Sequence, residues 1–238
     1  MHYTVYTASV TSMILYGIST AVTTSESIIR DNDETVTIMT GSNTLTLVST
    51  NTADATAGDG AQSIYIVGLD ENGDQQEETI SLNGTVSAES TLTFSRINRA
   101  VIFSAGGDTT PVGTVYIGQG ALVAGKPTII NGVIMPGKGW MRQGIISTPR
   151  NYVPYLANII TGAGKGKEVY FTIKVKPEGT GWIDTLTWNN YQEIQQSVFN
   201  IPIIYYGKSD VKLSVISDVA GTTCMGAVIF KLVHISLL

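Results

Sequence analysis

From Val169 to Lys176 apolar and polar residues alternate without a break. Val169, Phe171, Ile173 and Val175 fall on one face, and Tyr170, Thr172, Lys174 and Lys176 on the other. A two-residue period belongs to a strand, whose successive side chains point to opposite sides, so this segment reads as a strand with one face in a core and one in water. Nowhere in the 238 residues do twelve positions carry a helical stripe; Tyr191 to Val198 comes nearest. The chain is therefore expected to be all-β.

The same reading places further strands at Ile201 to Tyr206, Val211 to Ile216 and Gly226 to Leu238, with turns at Gly207 to Asp210 and Asp218 to Gly221. In the first half, Thr35 to Met39 and Thr44 to Val48 read as strands or extended arms. Ile64 to Val67 and Glu78 to Leu82 flank Asn72-Gly73, a dipeptide that accepts the positive φ of a tight turn, and the two runs are expected to pair antiparallel. Asn83-Gly84 marks the next reversal. Thr91 to Phe94, Ala100 to Phe103 and Val115 to Ile117 follow, separated by Gly106-Gly107 and Pro111 to Gly113. Glycine and proline are dense from Gly118 to Gly139, which disfavours long regular elements and puts a domain boundary near residue 125. The expected organisation is an extended N-terminal segment over residues 1–50, available for attachment, then a first β domain over 51–125 and a C-terminal β-sandwich over 126–238. Both domains read as sandwich or jelly-roll units.

Only 14% of the residues are charged against 43% apolar, where a soluble domain carries about 25% charged. A weakly charged exterior suggests either a surface covered by partner subunits or a neutral, Thr/Ser-rich β surface. The formal charge is −5 and no basic run could track a phosphate backbone, so nucleic acid is not an expected partner. Met13 to Tyr16 and Val228 to Leu238 are apolar but broken by Gly17, Lys231 and His234, and neither suits a membrane span. Met1-His2-Tyr3-Thr4 lacks the basic start and apolar core of a signal peptide. The lone Cys224 has no intrachain disulfide partner and reads as a small buried side chain.

Little in the chain points to catalysis. His2 and His234 stand near the two ends, and His234 shares an alternating face with Phe230 and Leu232, so neither a nucleophile–histidine pair nor a zinc site is expected. Asp70, Asn72 and Asp74 begin like a calcium loop, but Gln75 replaces its glycine and Ser81 its bidentate glutamate. Gly162 to Lys167 is glycine-rich and basic, yet its spacing is wrong for a phosphate loop and Glu168 follows the lysine. Asn83-Gly84-Thr85 fits a glycosylation acceptor but reads as a turn. Glu77, Glu78, Glu168, Asp184 and Glu193 could supply a glycosidase carboxylate pair, a signal of almost no specificity. Trp140, Trp182, Trp188 and Tyr191 could stack on sugar rings, although large aromatics in a β sandwich serve more often as core or interface. No catalytic residue, cofactor or metal ligand is assigned.

Several blocks resemble a known family. Thr52-Ala53-Asp54-Ala55-Thr56-Ala57-Gly58-Asp59-Gly60-Ala61, Val67-Gly68-Leu69-Asp70, Glu77-Glu78-Thr79, Leu82-Asn83-Gly84-Thr85 and Arg96-Ile97-Asn98-Arg99-Ala100 resemble, in kind and order, virion structural proteins of tailed bacteriophages, especially aquatic ones. Gly164 to Val169, Ile201-Pro202-Ile203 and Lys208-Ser209-Asp210-Val211 resemble their C-terminal region. The likeness spans about residues 50 to 235; Asp59 replaces a threonine between the two glycines, and residues 126–150 are irregular. It implies a non-enzymatic subunit of the virion, assembled in the host cytoplasm. The leading expectation is a capsid decoration or cement-type protein, a homo-oligomer and in particular a trimer, packed against the major capsid or other virion proteins. The alternative is a tail or fibre component that contacts a host surface glycan through Trp182, Trp188 and Tyr191.

Overall fold

The computed structural model describes residues 11–164, 167–191, 194–198 and 208–237. They form sixteen strands and one short 3-10 turn, Ile235–Leu237, and no described helix is long and apolar enough to cross a membrane. The protein is all-β, built from antiparallel sheets. It divides into two compact units: the residues up to Ile29 together with those from Thr148 onward, and Arg30–Ser147.

The strands in chain order are β1 (Thr11–Val22), β2 (Ser27–Ile28), β3 (Asn43–Ser49), β4 (Ala61–Leu69), β5 (Gln75–Ser81), β6 (Ala88–Phe94), β7 (Arg96–Ala105) and β8 (Val115–Val123). There follow β9 (Lys126–Ile134), β10 (Ile145–Ser147), β11 (Tyr152–Ala163), β12 (Glu168–Lys176), β13 (Ile183–Tyr191), β14 (Ile194–Val198), β15 (Asp210–Ser217) and β16 (Thr222–His234).

In the unit Arg30–Ser147, one sheet runs β6-β3-β8-β9 and the other β5-β4-β7. Leu45, Leu47, Phe94, Ile117 and Ile134 from the first share one buried cluster with Ile64, Ile66, Ile80 and Ala100 from the second. This is a β-sandwich core, filled by the inward half of each alternating strand. The expected hairpin is present: β4 and β5 pair from Ser63↔Ser81 to Leu69↔Gln75, and Gly73 takes φ 81 in the turn.

A buried carboxylate ties the loops of this unit together. Asp54 is fully buried and accepts the N–H groups of Ala61 (2.9 Å), Val112 (2.9 Å) and Gly113 (2.8 Å) and the Ser49 hydroxyl (2.6 Å). The glycines around it leave room: a Cβ on Gly60 would stand 2.1 Å from Asp54 Oδ1, and one on Gly113 2.6 Å from Ser49 Oγ.

In the other unit, one sheet runs β1-β16-β11-β14, and the second β13-β12-β15, with β2 joining β15 at Ser27 and Ile28. β12 is the strand the periodicity announced, with Val169, Phe171, Ile173 and Val175 buried. Gly226 of β16 comes so close to the facing sheet that a Cβ would meet Leu213 Cδ2 at 2.5 Å and Phe171 Cε1 at 3.5 Å.

The expected boundaries at residues 50 and 125 give way to this division, for two physical reasons. First, the N-terminal strands are core elements. β1 pairs with β16 from Thr11↔Leu232 to Val22↔Thr222 and buries Met13 and Leu15, while β3 lies between β6 and β8 in the other unit. Second, the glycines after Gly118 permit close packing. A Cβ on Gly118 would stand 2.1 Å from the Ile129 carbonyl oxygen. Ala124 (φ 50) and Gly125 (φ 78) form the two-residue turn of a β8–β9 hairpin closed by Val123↔Lys126.

Two segments left open by the pattern take definite forms. Thr35 to Met39 is no ladder strand; it lies along β9, joined by Thr37 N–H to the Ile130 carbonyl at 2.8 Å. Tyr191 to Val198, the segment nearest to a helical pattern, supplies the end of β13 and all of β14. The expected strand Ile201 to Tyr206 and the central Lys165-Gly166 of the glycine-rich turn lie outside the described residues.

Candidate interaction surface

Trp182, Trp188 and Tyr191 do not form one stacking platform. Trp188 lies opposite Phe171 in the β12–β13 ladder and stacks on it, ring centroids 5.7 Å apart and planes at 11°. Its indole N–H donates to Thr161 Oγ1 of β11 at 3.2 Å, so the ring points between the two sheets. Trp182 is on the opposite, outer face, with Lys212 Nζ 4.5 Å above its ring centre. Tyr191 ends β13 opposite Glu168 and is 57% exposed. The length of β13, roughly 25–30 Å at a strand's rise, separates it from Trp182. Trp140 belongs to the other unit.

Around Trp182 the outer face carries a charge network. Lys174 donates to Glu26 (2.6 Å) and sits 3.1 Å from Asp184, and Lys212 approaches Glu26 at 3.8 Å. Burial pushes the Glu26 carboxyl up, but the hydrogen bond from Lys174 and the positive charges of Lys174 and Lys212 outweigh it and hold the group below the ordinary range. Burial, helped by the like charge of Lys174, lowers Lys212. The network fastens the Glu26 segment onto β12 and β15.

The remaining candidates for chemistry have structural tasks. Asp70 accepts the backbone N–H groups of Asn72 and Asp74, both at 2.8 Å, so its carboxylate is turned onto its own loop. Glu78 accepts N–H groups of Thr91 (2.7 Å) and Leu92 (3.0 Å), and Glu77, its neighbour on the other face of β5, takes the Tyr65 hydroxyl. Glu168 accepts from Asn189 Nδ2 at 2.6 Å. His234 Nδ1 is 2.7 Å from Ser236 Oγ and its ring packs edge-on against Tyr152. Glu193 lies outside the described residues. No group of three or more His, Cys, Asp or Glu side chains able to hold a metal ion is found among the described residues.

The surface that stands out lies on the unit Arg30–Ser147, on the outer side of β5-β4-β7. Ile64-Tyr65-Ile66-Val67 in β4 is apolar on both faces. Ile64 and Ile66 enter the core; Tyr65 and Val67 point away from it and are only partly covered. Thr79, Tyr65, Val101 and Trp140 stand directly opposite one another in a row across β5, β4, β7 and an adjoining bridge. Phe103 extends the row: it is 67% exposed, with its ring centre 6.4 Å from that of Tyr65. Glu77 and Arg99 flank Val67, and the Arg142 guanidinium lies 5.4 Å over the Trp140 ring. Apart from Trp140 and Glu77, sequence reasoning gave these residues no role at a surface. Alternation shows that β4 has two apolar faces but not which of them the fold leaves bare; the signal available was a four-residue apolar run in a strand paired on one side with a charged one.

No family model and no curated protein matches the chain. Among solved structures, a chain from the structure of infectious bursal disease virus Gt strain matches at 10% identity. It covers 98% of this chain and 74% of that one, with a TM-score of 0.26, too low to carry an argument about fold or role.

Proposed function

We propose that this protein is a non-enzymatic structural subunit of a tailed-phage virion, in its simplest form a capsid decoration or cement-type protein, trimeric, packed against neighbouring capsid subunits. The observation that carries this reading is the aromatic outer face of β5-β4-β7. Tyr65, Phe103, Val101 and Trp140 form a contiguous apolar strip that this unit leaves partly uncovered, on a chain with unusually few charges. Apolar strips rimmed by charged groups mark surfaces that partners cover. An interface of standard size, ~1,600 Å² at ~25 cal/mol per Å², yields tens of kcal/mol of gross stabilisation before ordering costs. Repeated over a shell, that reinforces it mechanically and requires no turnover.

The test is gold-labelled antibody against this chain on intact particles, viewed by electron microscopy, together with Phe103→Asp. Label spread over the head, lost with Phe103→Asp while the isolated variant stays folded, is the expected result. Label confined to the tail would refute the decoration reading, and undiminished occupancy by the variant would refute the aromatic strip as the contact.

A further inference from the structure

The unit built from the residues up to Ile29 and from Thr148 onward carries an apolar face of its own. In the sheet β1-β16-β11-β14 one side of the strands enters the core with Leu15, Phe230, Leu156 and Ile159, and the other side faces away from it. The ladders set the outward residues in rows. Ile14, Ile229, Asn158 and Val198 stand opposite one another across the four strands. Tyr16, Ala227, Ile160 and Gln196 form the next row, and Ile18, Met225, Gly162 and Ile194 the third. Side chains close over the glycine of the third row: a Cβ on Gly162 would meet Met225 Cγ at 3.2 Å and Ile194 Cγ1 at 3.4 Å. On the flanking strands Ile14 is 58% exposed, Ile194 70% and Val198 68%, and between them Met225, Ala227 and Ile229 of β16 are only partly covered.

Charge singles this face out. Within β1, β16, β11 and β14 the one Asp, Glu, Lys or Arg among the described residues is Lys231, which stands with Ser12 and Tyr155 at one end of the rows. The facing sheet differs: its strands β12, β13 and β15 carry Glu168, Lys174, Lys176, Asp184, Asp210 and Lys212. Loss of charge with retention of aliphatic and aromatic side chains is the composition of an interface centre. At ~4.8 Å between strands and ~6.7 Å per two-residue step, the three rows and the Lys231 row cover roughly 20 by 25 Å, about 500 Å². Two such faces together bury about 1,000 Å², the size a specific interface needs. A partner of either charge would find no counter-charge in the three apolar rows. A second copy of this chain meets them without repulsion, because its own rows are equally uncharged and its Lys231 stays at the rim in water.

We propose that copies of this chain associate through the outer face of β1-β16-β11-β14, packed sheet on sheet. The inference rests on the self-association in the reading above and names its surface; the aromatic strip of β5-β4-β7 is then left for other virion proteins. The experiment is sedimentation velocity and light scattering on the full chain over a range of concentrations, native and with Ile229→Lys, Ile14→Lys and, on the opposite sheet, Ile183→Lys, each fold being checked by circular dichroism. The native chain should run at a multiple of its 25.4 kDa mass, undiminished in high salt. Ile229→Lys and Ile14→Lys should each weaken association at least about a hundredfold, because a symmetric contact meets the new charge twice; Ile183→Lys should not. Ile14→Lys alters a side chain already largely in water and decides the matter if Ile229→Lys does not fold. A monomeric native chain, or an oligomer that the folded β1 and β16 variants leave intact, overturns the proposal. An oligomer of two copies that these variants dissociate supports the face and refutes the trimer. Antibody label missing from the head refutes the decoration reading and leaves the contact between copies standing.

Discussion

Asp54 offers the sharpest test of how the unit Arg30–Ser147 is held. Its carboxylate is fully buried and receives three backbone N–H groups and one hydroxyl, Oδ1 from Ala61 and Val112, Oδ2 from Gly113 and Ser49. Asp54→Ala leaves those donors without an acceptor, and each buried unsatisfied group costs about 1–3 kcal/mol. The costs are not additive, because the loops relax and admit water, so a loss of about 4–6 kcal/mol is expected. Asp54→Asn keeps one oxygen and can turn its amide toward Ser49, whose hydroxyl then accepts. One N–H remains opposed by a donor, and the loss is about 2–3 kcal/mol. With an m-value of about 2 kcal/mol per M in urea, the alanine midpoint should fall by roughly 2–3 M and the asparagine midpoint by about half as much. Urea unfolding followed by Trp140 fluorescence in a Trp182→Phe, Trp188→Phe background reads this unit alone. Equal losses for the two variants, or a loss under about 1 kcal/mol for Asp54→Ala, would refute the account of Asp54 as the common acceptor.

Other consequences are equally open to measurement. Burial pushes the Cys224 thiol up to about 12, so at pH 8 the native chain should not react with a thiol reagent until it is unfolded; prompt stoichiometric labelling of the native chain would contradict its burial. The folded pKa of Glu26 lies below its unfolded value, so its stabilising effect is present above about pH 4.3 and is lost as pH falls through the folded value. Glu26→Gln should therefore be less stable than the native chain near neutrality, with the gap closing in acid; a gap independent of pH would assign the effect to something other than the ion pairs. Gly118→Ala drives a methyl into the Ile129 carbonyl and should cost about 1–3 kcal/mol, whereas Gly139→Ala, which meets nothing within 4 Å, should be nearly neutral in the same melts.

How much of this was legible in the sequence depended on whether a residue's role was local. The β4–β5 hairpin and β12 were readable because a two-residue period and an Asn-Gly turn are properties of neighbours in the chain. β9 was missed because Gly118 and Gly132 look like breakers; what they accommodate is the Ile129 carbonyl across the hairpin and the Met141 sulfur, close approaches that a residue-type pattern does not reveal. The pairing of β1 with β16 is invisible for the same reason. Of the anticipated contact residues, Trp188 faces inward, partly buried, because it sits opposite Phe171, and Trp182 is on the outer face because a register shift in β13 intervenes. Asp54 had no signal of its own beyond the Thr52-to-Ala61 block that carries the phage resemblance, and that block is the segment folded around it.

The pairing of β1 with β16 also sets a timetable for synthesis. The two strands are separated by about 200 residues, so a ribosome working at about 5–20 residues per second releases β1 roughly 10–40 s before its partner emerges. The contiguous segment Arg30–Ser147 can close on itself during that interval. The nascent chain then carries one finished unit while Met13, Ile14 and Leu15 wait for β16.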